Sequence, residues 1–110
     1  LSKRISEAIK GKYGFGCFIF KVWGSEHMMA GLPDLIGCLH GRFFALEVKH
    51  PETRGDTSRR QEFVHGLIRG AGGLCEVVTS PAEALSLLND LYSDEEARPH
   101  NRRKRSNPDA

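Results

Sequence analysis

Residues 33–49 read PDLIGCLHGRFFALEVK, and the fold turns on how this stretch pairs with itself. Residues 34–39 and 42–49 are mostly apolar runs of strand length, separated only by His40-Gly41. Glycine accepts positive φ, so His40-Gly41 suits a two-residue hairpin turn. With these two residues at the centre, Leu39 faces Arg42. Stepping outward pair by pair then brings Asp34 opposite Glu47, with Cβ atoms about 5 Å apart. Alternate residues of a strand share a face, so Glu47 and Lys49 point the same way.

Working outward, residues 2–12 read as a helix capped by Ser2, with Ile5, Ala8 and Ile9 as its apolar stripe. Residues 17–22 (CFIFKV) read as a strand, followed by a loop containing Gly24 and Gly31. Residues 50–57 form a polar loop. Ser58 and Gln61 match a capping box, and Phe63, Val64, Leu67, Ile68 and Ala71 continue at helical spacing until Gly72-Gly73. Residues 74–78 (LCEVV) are a fourth strand. Ser80-Pro81-Ala82-Glu83 is a helix start: serine cap, proline at the first position, glutamate closing the box. Leu85, Leu88 and Leu91 then face inward. From Ser93 the chain is charged and contains Pro and Asn, as disordered tails do. The order is αβββαβα, an α/β fold with a small sheet and helices against it. It divides into one domain at 1–92 and a tail at 93–110.

Composition narrows the function. The 110 residues suffice for a single core. No apolar run approaches the ~18 residues of a membrane span, and no signal peptide is visible in residues 1–15. Cys17, Cys38 and Cys75 are odd in number and widely spaced, which is neither a disulfide framework nor a zinc motif. They read as reduced core residues of an intracellular protein. Net charge is +2, and residues 1–92 hold 11 Lys/Arg against 10 Asp/Glu. Any contact with nucleic acid therefore depends on a local patch.

Chemistry concentrates at Asp34, Glu47 and Lys49. Like charges directly opposite each other in a hairpin are destabilising, so something must compensate. Lys49 supplies one positive charge. A divalent cation bridging the carboxylates would supply more, and Mg²⁺ suits hard oxygen ligands with positions left for water and phosphate oxygens. The Val48 carbonyl, between Glu47 and Lys49, could add a ligand. The alternative is a surface aspartate at a strand end beside a solvated Glu/Lys strand face.

The combination resembles the PD-(D/E)xK nuclease superfamily and, within it, the stand-alone VRR-Nuc domains of bacteriophages and bacteria. The residues that carry the likeness are 31–37 (GLPDLIG), 41–49 (GRFFALEVK), Gln61, and Gly72-Gly73 before a strand. The likeness spans residues 2–92 and implies a restriction-endonuclease-like αβββαβ core with a small mixed sheet. It implies that Asp34 and Glu47 bind Mg²⁺, or Mn²⁺ in its place, through side chains and Val48 through its carbonyl. Lys49 and Gln61 would complete a catalytic set of Asp34, Glu47, Lys49 and Gln61. The implied activity is metal-dependent hydrolysis of DNA phosphodiester bonds. A homodimer acting on branched DNA, in the manner of a Holliday-junction resolvase, is the implied assembly, inside a bacterial or phage-infected cell. The family often has an acidic residue on the first helix. Glu7 is the only candidate, yet it lies nearly opposite the apolar stripe and reads as solvated; otherwise that acid lies upstream of Leu1.

Gln61 has two compatible readings, closing the helix start or reaching the site from the helix side it shares with Val64 and Ile68. The five histidines show no common ligand spacing. Trp23 reads as a partly buried loop anchor, with base stacking as the alternative. Met28 and Met29 read as packed under the loop. Lys21, Arg42, Arg54, Arg59 and Arg60 are candidate phosphate contacts, and residues 102–105 (RRKR) a source of non-specific attraction. Two rivals keep the fold without this activity: a DNA-binding module that does not cut, and an interaction domain with no nucleic-acid role. A non-specific DNA nuclease is a third alternative.

Overall fold

The computed structural model describes residues 1–24 and 28–97. Helix α1 (Ser2–Tyr13) leads through a 3-10 turn (Gly14–Gly16) into strand β1 (Cys17–Lys21). Strands β2 (Leu35–Leu39) and β3 (Arg42–Val48) follow. After a second 3-10 turn (Pro51–Thr53), helix α2 (Arg59–Gly70), strand β4 (Leu74–Val78) and helix α3 (Pro81–Ala97) complete the described chain.

The sheet order is β1-β2-β3-β4. β1, β2 and β3 run antiparallel, and β4 is parallel to β3, reached through α2 as a parallel neighbour requires. The hairpin register is the expected one: pairs run from Leu39 with Arg42 outward to Leu35 with Leu46. The next step outward aligns Asp34 with Glu47. His40 (φ 49°) and Gly41 (φ 88°) both occupy the left-handed region, as a type I′ turn demands.

One face of the sheet carries the main core. Ile5 and Ile9 of α1 and Ala84, Leu88 and Leu91 of α3 close over Ile19, Leu35, Leu39, Phe44, Leu46 and Val78. Burying each large side chain of this set stabilises the fold by roughly 1.5–3 kcal/mol. Gly37 lies on the same face, where the Phe18 carbonyl and the Phe44 ring fill the space a Cβ would need. α2 packs on the other face through the buried Val64.

One helix start matches the sequence, one matches it in part and one does not. At α2 the box closes fully: Ser58 Oγ accepts from the Gln61 N–H, and Gln61 Oε1 accepts from the Ser58 N–H. Ser2 does not cap α1. It is the first helical residue, Leu1 occupies the cap position, and no side chain bonds there. At α3, Ser80 Oγ accepts from the Glu83 N–H, but Glu83 reaches back past the cap to the N–H and hydroxyl of Thr79. Glu83 also holds Arg54 bidentately, at 3.0 and 2.6 Å.

Three further expectations need correction or limits. Cys75 is buried, but Cys17 is half-buried and Cys38 is exposed. Alternation puts Cys38 on the face away from α1 and α3, where β1 and β2 lie beyond the reach of α2. The α3 backbone continues past the domain boundary drawn at residue 92, to Ala97. The remaining tail, with its run at 102–105, lies outside the described residues, as does His27.

Candidate functional site

The hairpin and the start of α2 bring four of the expected side chains to one end of the sheet. Asp34 immediately precedes β2, and its Oδ2 accepts a hydrogen bond from the Val48 N–H at 2.9 Å. That bond ties the two strand ends together across the register. Glu47 lies on β3, only 3% exposed. Its carboxyl is within hydrogen-bonding reach of Asp34.

Burial and the neighbouring Asp34 push the Glu47 carboxyl up to about 7, against partial relief from Lys49 and Lys21. Lys49 Nζ lies 3.9 Å from Glu47 Oε2 and donates to the Asp56 carbonyl at 2.9 Å. The loop after β3 thus holds the ammonium over the carboxylates. Lys49 is fixed from behind as well, because its N–H continues the parallel ladder to the Val78 carbonyl.

Gln61 serves both of its readings at once. Its Oε1 belongs to the capping box, while its Nε2 donates to Glu47 Oε2 at 3.1 Å. One amide therefore couples the helix start to the carboxylate pair.

His65 is a member of this cluster that the sequence did not point to. It is 3% exposed, and its Nε2 stands 3.7 Å from Glu47 Oε1, too far for a hydrogen bond. Burial, then the charges of Arg69 and Lys49, lower its basicity, so the imidazole is neutral at pH 7. Both Glu47 Oε1 and His65 Nε2 are buried with no hydrogen-bond partner. A signal existed: Gln61 and His65 are four apart on α2 and so share a helix face.

The other candidates are elsewhere. Glu7 is exposed on α1 and is not among the charges acting on Glu47. Arg54 is committed to Glu83, and Arg60 donates to the Ala30 carbonyl while its guanidinium lies 5.5 Å from the Phe63 ring centroid. Trp23 is 74% exposed rather than a buried anchor, and Met28 and Met29 are exposed too.

Chemically, the cluster offers two facing carboxylates, a main-chain carbonyl at Val48, a fixed ammonium and an amide donor. No group of three or more His, Cys, Asp and Glu side chains among the described residues is arranged as a metal cage. A two-carboxylate set with an orphaned buried oxygen fits a hard divalent cation that keeps most of its positions for water and phosphate. It does not fit the closed tetrahedral nitrogen and sulfur set of structural zinc.

An αβββαβ core with a carboxylate pair at the β2/β3 end and an E-x-K lysine is of the restriction-endonuclease-like class. No family model matches the chain, and no curated protein matches it. Among solved structures, a "VRR_NUC domain" matches with a TM-score of 0.60 and 26% sequence identity, covering 79% of this chain and 92% of that chain. That likeness supports the fold of a VRR-Nuc domain, a nuclease-type domain, for this chain.

Proposed function

We propose that this protein is a Mg²⁺-dependent DNA endonuclease, selective for branched DNA, that works as a homodimer. The observation that carries the reading is the facing of Asp34 and Glu47, where a buried carboxyl is driven far above its ordinary range while an ammonium is held beside it. Setting a buried carboxyl against a second, half-buried one costs the fold, which supports a reading in which the pair serves a ligand.

Asp34, Glu47 and the Val48 carbonyl would hold the ion. When bound, Mg²⁺ supplies charge neutralisation at the phosphate and acidifies a water for attack. Gln61 fixes the Glu47 carboxylate by donating to Oε2, so that carboxylate keeps one orientation. Lys49 stabilises the negative charge that grows on the phosphoryl oxygens. Its Nζ is held by the Asp56 carbonyl, 3.9 Å from Glu47 Oε2, a fixed position that suits that role.

The dimer rests on a separate observation. Phe18 (66% exposed) and Phe20 (46%) lie on the sheet face opposite α1 and α3, on the half which α2 leaves open, together with exposed Cys38. Such an apolar face is what a second copy would cover, and a two-fold pair would double the phosphate contacts of a small domain. Two sites related by symmetry would match the paired strands of a four-way junction.

The test is cleavage of a four-way junction beside a matched linear duplex, in Mg²⁺ and in EDTA, with light scattering on the same sample. Metal-dependent cleavage of the junction by a dimer is expected. Binding without cleavage in Mg²⁺ or Mn²⁺ would leave a non-catalytic DNA-binding module. A monomer that cuts both substrates equally would leave a non-specific nuclease.

A further inference from the structure

We infer that Trp23 and Lys21 form a platform that stacks one unpaired nucleobase beside the carboxylate pair, so that the protein prefers DNA whose strand leaves the duplex at that point. The inference rests on the DNA-nuclease reading above and deepens it.

An indole is a large apolar surface that folding ordinarily hides. Trp23 is 74% exposed. It does not sit at the tip of a free loop. The Val22 N–H donates to the Asp34 carbonyl at 2.8 Å, so Trp23 adjoins a residue bonded to the carboxylate pair's own backbone. Lys21, on the other side of Val22, places its Nζ 5.2 Å from the indole centroid. This cation–π contact orients the ring and sets a positive charge at its face. Ring and ammonium thus stand at the strand end that carries the carboxylates, across the sheet edge from them by alternation.

Beside this ring and ammonium runs a cleft of about 470 Å³ between α1 and the β1 edge. Trp23 and Phe20 give it an apolar wall, and Lys3, Lys10 and Lys21 outnumber the single Glu7. An apolar wall beside clustered ammonium groups matches a base with its phosphate: the ring takes the π-face, the lysines the backbone charge. A paired base cannot use such a wall, because both its faces are already stacked inside the duplex. A splayed or single-stranded nucleotide presents such a face to Trp23, as no base pair inside a duplex does. Discrimination for branched or frayed DNA would then arise within one protomer, before any dimer geometry is imposed.

Trp23 is the only tryptophan in the chain, so its fluorescence reports the platform directly. The full chain is titrated in EDTA, where no metal-dependent cleavage intrudes, with a splayed-arm duplex and with a blunt duplex of the same paired sequence. Saturable quenching by the splayed-arm DNA and little by the blunt duplex is expected. Trp23→Ala should weaken binding of the splayed-arm DNA about tenfold and leave blunt-duplex binding unchanged, while Trp23→Phe retains most of the affinity. An exposed side chain can be removed without unfolding, and an unchanged melting midpoint checks this. Equal quenching by both DNAs overturns the platform, as does unaltered splayed-arm affinity in Trp23→Ala. A variant that loses only self-association assigns Trp23 to an interface between copies and overturns it too. Metal-dependent cleavage by a protein that shows no quenching strikes the platform alone. Quenching selective for the splayed arm, in a protein that never cuts, sustains the platform and strikes the nuclease reading.

Discussion

Replacing Glu47 with glutamine should stabilise the metal-free protein while abolishing cleavage. Glu47 is 3% exposed, and its carboxyl is pushed up from 4.5 to about 7, chiefly by burial and then by Asp34. A group whose folded-state pKa is raised favours folding in its protonated form. Its contribution is therefore complete below about pH 4.5 and is lost as pH rises through about 7. The full displacement corresponds to a ceiling of roughly 3 kcal/mol. Glutamine is the permanently uncharged counterpart, and its carbonyl can still accept from Gln61 Nε2. Its added NH₂ must find an acceptor, for which Asp34 is placed, so a gain of about 2 kcal/mol is expected at pH 8. For a chain of this size that is a rise in melting midpoint of roughly 10 °C. The assay is thermal unfolding of wild type and Glu47→Gln in EDTA from pH 4 to 9. The two curves should meet at the acid end and diverge above neutrality. Adding Mg²⁺ should raise the wild-type midpoint and leave the variant where it was, because only a ligand that binds the native state stabilises it. A variant less stable than wild type at pH 8 in EDTA would refute the reasoning, since Glu47 would then be a structural carboxylate.

Three other substitutions separate roles that overlap in space. Lys49→Ala should lose at least about a hundredfold in single-turnover rate at saturating protein, with little change in DNA affinity; recovery of rate on adding enzyme would make Lys49 a binding residue. Gln61→Glu keeps an acceptor for the Ser58 N–H but turns the donor toward Glu47 into a third carboxylate, so it should cost the metal-free fold about 1–2 kcal/mol by denaturant titration at pH 8 and much less at pH 4. Gly37→Ala drives a methyl into the Phe18 carbonyl and the Phe44 ring, and should destabilise by at least about 2 kcal/mol, whereas Gly66→Ala, helical with open space around it, should stabilise by roughly 0.8–1 kcal/mol; paired chemical melts read both.

The legible part of the site is the part fixed by local stereochemistry. A His-Gly turn with two positive-φ positions leaves one hairpin register open, and that register carries Asp34 to Glu47 without any knowledge of the core. The capping box at Ser58 likewise fixes where α2 begins, and hence where Gln61 stands. What escaped depends on which surfaces other elements cover. Alternation says on which face Cys38, Phe18 and Phe20 lie, but not that α2 leaves their half of that face open. Hydrophobicity argues that Trp23, Met28 and Met29 are buried, yet none of them is. His65 escaped for the converse reason. As one histidine among five it carried no ligand spacing, and its place opposite Glu47 follows only once α2 is laid across the sheet. Gln61 shows how the two kinds of information combine. Its oxygen obeys the helix and its nitrogen serves the sheet, so the contact that shapes the site is made by the residue that starts the helix. Moving α2 by one residue would break the cap and the Glu47 contact together, which ties the geometry of the site to the stability of that helix.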